Sequence, residues 1–179
     1  MKKLFTILAA MLISMVGFAQ TPVYELVPAS GSNNSYAGNC DVTVNGIKWN
    51  LTGNSTMDPW RIGGKSITNV DRTLYSKTPM IGDVEKVVLS VGTMNSITVN
   101  STKLLIADNP EFESASEVSV TLAANKDIEI PVSASIGAYY KFVFNVTVAG
   151  SSNKFIQIKK VDFYGAKPPI LLKGQSFLF

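Results

Sequence analysis

The chain of 179 residues contains no histidine and a single cysteine. Without imidazole there is no Ser-His-Asp or Cys-His nucleophile system and no histidine-based metal site, since each needs that ring as base or ligand. Cys40 has no partner for an internal disulfide, so the fold must rest on its core and its backbone ladders. It reads as a small buried apolar residue, because free cysteines are mostly buried and little positive charge surrounds it. Charged residues make up only 16% of the chain, with a formal net charge of +3. No basic stretch points to nucleic acid or to a membrane surface. A sustained helical stripe of apolar residues is also missing, which argues against an α/β architecture.

The N-terminus carries an export address. Lys2 and Lys3 precede an apolar run over 4–16, and Gly17-Phe18-Ala19 follows with small residues at the spacing of a cleavage site. The run is shorter than the roughly 20 apolar residues that cross a bilayer, and no cysteine lies beside the cut to carry a lipid. Residues 1–19 are therefore expected to be a signal peptide, and the protein to be periplasmic, cell-surface or extracellular. Lys2 and Lys3 belong to the 16 basic side chains; without them the balance against 13 acids is close to neutral. About 160 residues remain, enough for one domain.

Strand signals fill that domain. In residues 140–148 every second side chain is large and apolar (Tyr140, Phe142, Phe144, Val146, Val148), which is the period of a half-buried strand. Residues 149–153 break the pattern and 154–164 resume it, which predicts a hairpin. An odd step at Lys159-Lys160 predicts a β-bulge. Asn45-Gly46 between alternating runs predicts a second hairpin, because both turn residues tolerate positive φ. It places Val42 and Val44 opposite Ile47, Trp49 and Leu51. Further strands are expected at 60–62, 66–70, 84–91, 97–107, 117–122 and 128–132, with Gly, Pro, Asn and Asp in most gaps. The pattern predicts an all-β, two-sheet antiparallel β-sandwich of the jelly-roll kind over residues 20–165. Residues 166–179 read as an apolar tail, either an edge strand or a linker stub to a partner domain.

Chemistry is sparse. Acid/base hydrolysis would fall to carboxylates such as Asp58, Asp71, Asp83, Glu85, Glu111, Glu113 and Glu117, but none sits in a recognisable motif, so no catalytic residue is assigned. Asp108-Asn109-Pro110-Glu111 can offer oxygens to calcium, yet ordinary turn chemistry accounts for it better and no metal or cofactor is expected. Five Asn-x-Ser/Thr sequons, at Asn33, Asn50, Asn54, Asn100 and Asn145, read as strand-surface composition.

Binding is the stronger expectation. Asp58-Pro59-Trp60-Arg61-Ile62-Gly63-Gly64-Lys65 gathers an aromatic, a guanidinium and two glycines just outside a hairpin. Trp60 offers a flat face for a sugar ring, and Arg61 and Asp58 offer charge-assisted hydrogen bonds to hydroxyls. Tyr75, like Tyr36, is a further aromatic at the rim. The competing reading puts Trp60 in the core, pairs Arg61 with an acid and makes the glycines a bulge. Tyr139 and Tyr140 read as strand-edge and core residues.

Trp60-Arg61-Ile62-Gly63-Gly64-Lys65, Thr68-Asn69-Val70-Asp71-Arg72, Tyr75-Ser76-Lys77, the stretch from Tyr139 to Val146 and the run from Asn153 to Tyr164 together resemble exported modules of polysaccharide-degrading Gram-negative gut bacteria. The chain is similar there, over roughly 36–165, to jelly-roll domains of the galactose-binding-like class. That resemblance implies a non-catalytic module with a polysaccharide or glycan as ligand, and carries over no ligand residues. Two other readings stay open. A structural or adhesive protein-interaction domain would bury both Trp49 and Trp60, and a carboxylate glycoside hydrolase would converge two acids in a cleft.

Overall fold

Alternation of apolar and polar side chains sets each strand's inner face. The computed structural model describes residues 20–28, 36, 39–55 and 60–165. The segment 1–19 expected to be a signal peptide, Asn33, Asp58 and the tail 166–179 lie outside the described residues. The strands are β1 (Tyr24–Leu26), β2 (Asn39–Val44), β3 (Ile47–Thr52), β4 (Asn54–Ser55), β5 (Trp60–Gly64), β6 (Ile67–Ser76), β7 (Val84–Asn95), β8 (Thr98–Ala107), β9 (Ser116–Ser119), β10 (Asp127–Ala134), β11 (Tyr139–Val148) and β12 (Lys154–Tyr164). They form two antiparallel sheets packed as a sandwich. The first runs β10-β7-β12-β5-β4, with β1 also paired to β12; the second runs β2-β3-β6-β11-β8-β9.

The Asn-Gly hairpin forms as the sequence implies. Asn45 and Gly46 take φ of 45° and 81°, and Val42 and Val44 face Trp49 and Ile47 in register. The bulge near Lys159-Lys160 is also present, as a register shift against β7 between Ile158 and Lys160. The other predicted hairpin is not. β11 pairs with β6 and β8 in the second sheet, while β12 pairs with β5, β7 and β1 in the first. Residues 149–153 instead cross between sheets, which pack about 10 Å apart. Each strand has buried apolar residues and occupies an interior position in its own sheet, so the two face one another across the core.

That core holds Trp49, Trp60, Tyr140, Phe142, Phe144 and Phe163, all fully buried. Aromatic contacts link the sheets: Phe163 of the first lies 5.9 Å from Trp49 and 5.0 Å from Tyr140 of the second. A buried polar bridge runs beside them. The Trp49 indole donates to the Tyr24 hydroxyl at 2.9 Å, and that hydroxyl donates to the Val44 carbonyl at 2.8 Å. Burial pushes the Tyr24 pKa up to about 12, against the opposing pull of the Trp49 donor. Removing the hydroxyl would leave a buried indole N–H unpaired, a cost of about 1–3 kcal/mol.

Arg72 is a second tie between the sheets. It sits opposite Phe144 in the β6–β11 register, and its Nε donates to the Gly63 carbonyl of β5 at 3.1 Å. Burial lowers its pKa. The guanidinium fills the space where a side chain at position 53 would stand. Cys40 is half-buried on strand β2, less enclosed than expected, because among the described residues β2 pairs with β3 alone and ends the second sheet.

Candidate functional site

The outer face of the second sheet takes its residues from the positions that alternate with the core-facing ones, and Val143 among them is itself buried. On β6 these are Asn69, Asp71, Thr73 and Tyr75; on β11, Lys141, Val143, Asn145 and Thr147. Pairing brings Asn50 of β3 beside Tyr75 and Asp41 of β2 beside Asn50.

At one end stands an aromatic and cationic cluster. Tyr75 meets Phe112 edge to face with ring centroids 6.2 Å apart, and the Lys141 ammonium lies 5.5 Å from the Tyr75 centroid and 5.3 Å from that of Phe112. Phe112 comes from the loop between β8 and β9, where it takes a φ of 61°. Such a conformation is unusual for a bulky side chain and costs about 1–3 kcal/mol, so the surroundings must hold it. Asn109 does so. Its carboxamide accepts from the Glu113 amide at 3.0 Å and donates to the Glu113 carbonyl at 3.1 Å, while its carbonyl accepts from the Phe112 amide. The clasp folds the loop over the sheet and sets Phe112 against Tyr75.

Beside this cluster, Asn50 is only 5% exposed. Its amide donates to Asp41 at 2.7 Å, yet its buried Oδ1 has no hydrogen-bond partner. A buried acceptor left unmatched is costly in isolation. Asp41 is also bound by Lys48 at 3.0 Å and Lys77 at 3.1 Å. The Asn50 donor first, and then Lys48, hold the Asp41 carboxyl well below the usual range.

The sign of that shift gives a pH prediction. A carboxylate with a lowered folded-state pKa stabilises the fold above its unfolded value of about 3.9 and loses that contribution as pH falls through the folded value. Asp41→Asn should therefore flatten the fall in stability below about pH 4 relative to wild type. Urea midpoints at neutral pH and at about pH 2.5 test this; parallel pH profiles for the two proteins would contradict it.

At the other end of the face lies an amide cluster. Asn100 Nδ2 donates to Asn145 Oδ1 at 2.8 Å, to Asn69 Oδ1 at 2.9 Å and to Thr147 Oγ1 at 3.0 Å. Asn145 in turn donates to Asp71 at 2.7 Å. A register shift between β8 and β11 and a φ of 51° at Asn69 bring these side chains together.

The chain matches no family model and no curated protein. The site therefore stands on its own geometry.

That geometry separates the residues that the sequence suggested as one platform. Trp60 is fully buried within the core cluster, which corrects its expected role as a stacking surface: the alternation of β5 puts it inside with Ile62. Arg61 points the other way, onto the outer face of the first sheet. It stacks over Phe155 at 4.7 Å and lies close enough to Tyr36 that, against the larger upward push of burial, it pulls the phenol's pKa down, while its buried Nε has no partner among the described residues. Asp58 is outside the described residues. Tyr75 lies on the second sheet, away from the other candidates. Phe112, Lys141 and Asn50 were missed. The turn residues Asn109-Pro110 were legible, but not the backbone conformation that brings Phe112 back over the sheet.

The loop from Asp108 to Glu111 uses its oxygens locally: Asp108 Oδ1 accepts from Asn109, and Asn109 Oδ1 from Glu113. Among the described residues, no three His, Cys, Asp or Glu side chains gather in a group able to hold a metal ion.

Proposed function

We propose that this protein is an exported, non-catalytic binding module whose ligand is a carbohydrate, held on the outer face of the second sheet beneath the β8–β9 loop. The observation that carries the reading is Phe112, kept in a costly backbone conformation by Asn109 and set with Lys141 around the half-buried Tyr75. Aromatic rings give a sugar an apolar face to pack on. Asn50, bonded to Asp41 beside Tyr75, gives the cluster a fixed polar floor. The resemblance to jelly-roll modules of polysaccharide-degrading bacteria supports the same ligand class, and the signal-like N-terminus supports export.

Affinity electrophoresis through gels containing soluble plant and host polysaccharides tests the proposal. At least one polysaccharide should retard the protein, and Tyr75→Ala should weaken retardation by about tenfold or more, the size of one lost stacking contact. Arg61→Ala, on the opposite sheet, should leave it unchanged. Equal retardation of Tyr75→Ala and wild type would sink the site.

A protein-interaction module is the second reading, favoured by the burial of both tryptophans and by one loop end of the sandwich. There Ile81 and Ile136 are 75% and 67% exposed. Bonds between Met80 and residues 137 and 138, and from the Ile136 amide to Asp83, hold their two loops together. A cavity of about 540 Å³ adjoins Ile136. Single weak glycan sites and surface adhesion are compatible with one another, since either gains from multivalent display.

A further inference from the structure

We propose that the ligand of this face is an uncharged, linear stretch of polysaccharide lying along β6 and β11, gripped at one end by Tyr75 and at the other by the amide cluster around Asn100 and Asn145. The inference rests on the glycan-binding reading and specifies its ligand. From Tyr75 to Asn69 is about 20 Å of strand at a rise of about 3.4 Å per residue, longer than a single sugar ring requires. Between the two ends, the outward positions of β6 and β11 carry Thr73, with its hydroxyl bonded to Thr52 at 2.7 Å, and Val143. Thr73 is half-buried and Val143 almost wholly buried, so the middle of the track is a closed, short-chained stretch and the groups open to a ligand lie at its two ends.

Its chemistry selects against charge. Its charges nearly cancel: Lys48 and Lys77 share Asp41, Lys103 pairs with Glu117 at 2.9 Å, and Lys141, over two aromatic rings, stands against Asp71 in the count. The Asp71 carboxylate accepts from Asn145. What remains to meet a ligand is amide and hydroxyl, and each carboxamide both donates and accepts. A sugar hydroxyl also does both, whereas a uronate or sulfate asks mainly for donors. The Asn100 amide has two hydrogens and three oxygens within reach; Thr147 Oγ1 also accepts from the Asn69 amide at 3.1 Å and Asn69 Oδ1 lies 3.5 Å from the Thr147 hydroxyl, so a ligand hydroxyl would be met by the second lone pair of a carboxamide oxygen.

The test is calorimetric titration of the protein with size series of neutral oligosaccharides, from monomer to hexamer, prepared from mannan, xylan and β-glucan. Polygalacturonate fragments and heparin serve as charged probes, and every titration is run with and without calcium. For at least one neutral series, affinity should rise with chain length. Asn100→Ala with Asn145→Ala should flatten that rise, costing about tenfold for the longest member and little for the shortest. Thr147→Val, a milder change, should act in the same direction, and thermal unfolding separates lost binding from lost folding. The wild-type length series decides the matter even if a variant is unstable. Affinity independent of length, with Tyr75→Ala still weakening binding, would overturn the inference and leave the glycan reading intact. A preference for polygalacturonate or heparin, or a requirement for calcium, would do the same. No binding to any saccharide would overturn both.

Discussion

Trp60→Ala is expected to lower the stability of the protein by about 3–5 kcal/mol, the range for removing a large aromatic from a packed core. The indole is wholly enclosed, on a strand that β12 pairs along its whole length from Trp60 to Gly64. The cavity left behind would open beside Ile62 and Ile158, which flank it in sequence and in register, and a core packed as densely as an organic crystal collapses into such a void only in part. A stacking role would give a different result: loss of saccharide binding with the urea midpoint nearly unchanged. Urea denaturation together with polysaccharide retardation separates the two, and folded Trp60→Ala should still bind.

Gly63→Ala is the other large effect. A Cβ built at position 63 would stand 2.0 Å from the carbonyl oxygen of Lys154 and 2.9 Å from the Cα of Phe155. Both atoms are backbone, so no rotamer change relieves the clash, and the strand pair β5–β12 must separate. Overpacking usually costs about 1–3 kcal/mol, and this case belongs at or above the top of that range. The damage would spread, because the Gly63 carbonyl accepts from Arg72 and Phe155 supports Arg61. The expected outcome is a urea midpoint well below that of wild type. Gly82→Ala, where no atom lies within 4 Å of the added carbon, should by comparison be nearly silent. Similar midpoints for the two variants would contradict the close approach of these strands.

The sequence and the structure agree where local chemistry decides and part where partners do. Asn45-Gly46 forces a tight turn by itself, so the β2–β3 hairpin and its register were legible. The Lys159-Lys160 bulge was legible too, because an odd step in a period of two can be absorbed only by an extra residue. The pairing of β11 and β12 was not. Alternation reports that one face of each strand is buried, but it is the same for two strands side by side and for two strands facing each other across a core. The short turn at 149–153 fits both.

The candidate site follows the same division. The period of β5 assigns Trp60 and Ile62 to one face and Arg61 to the other, so proximity in sequence could never make a single platform of Trp60 and Arg61. Tyr75 was legible as a rim aromatic but not as part of strand β6, and its neighbours come from three separate elements: Lys141 from β11, Asn50 from β3 and Phe112 from a loop. That loop depends on Asn109 clasping Glu113, a contact between residues four apart that composition alone does not reveal. The amide cluster joins Asn69, Asn100 and Asn145, two of them sequon asparagines that read in sequence as surface composition.

The central claim is that ligand meets the outer face of the second sheet, and amide chemical-shift mapping during titration with a retained oligosaccharide tests it most directly. The expected result is a continuous set of perturbed amides along β6 and β11, including Thr73, Tyr75, Lys141 and Asn145, extending to Phe112 in the β8–β9 loop. Perturbations confined to Arg61, Phe155 and Tyr36 on the first sheet, or to the loops carrying Ile81 and Ile136, would contradict it.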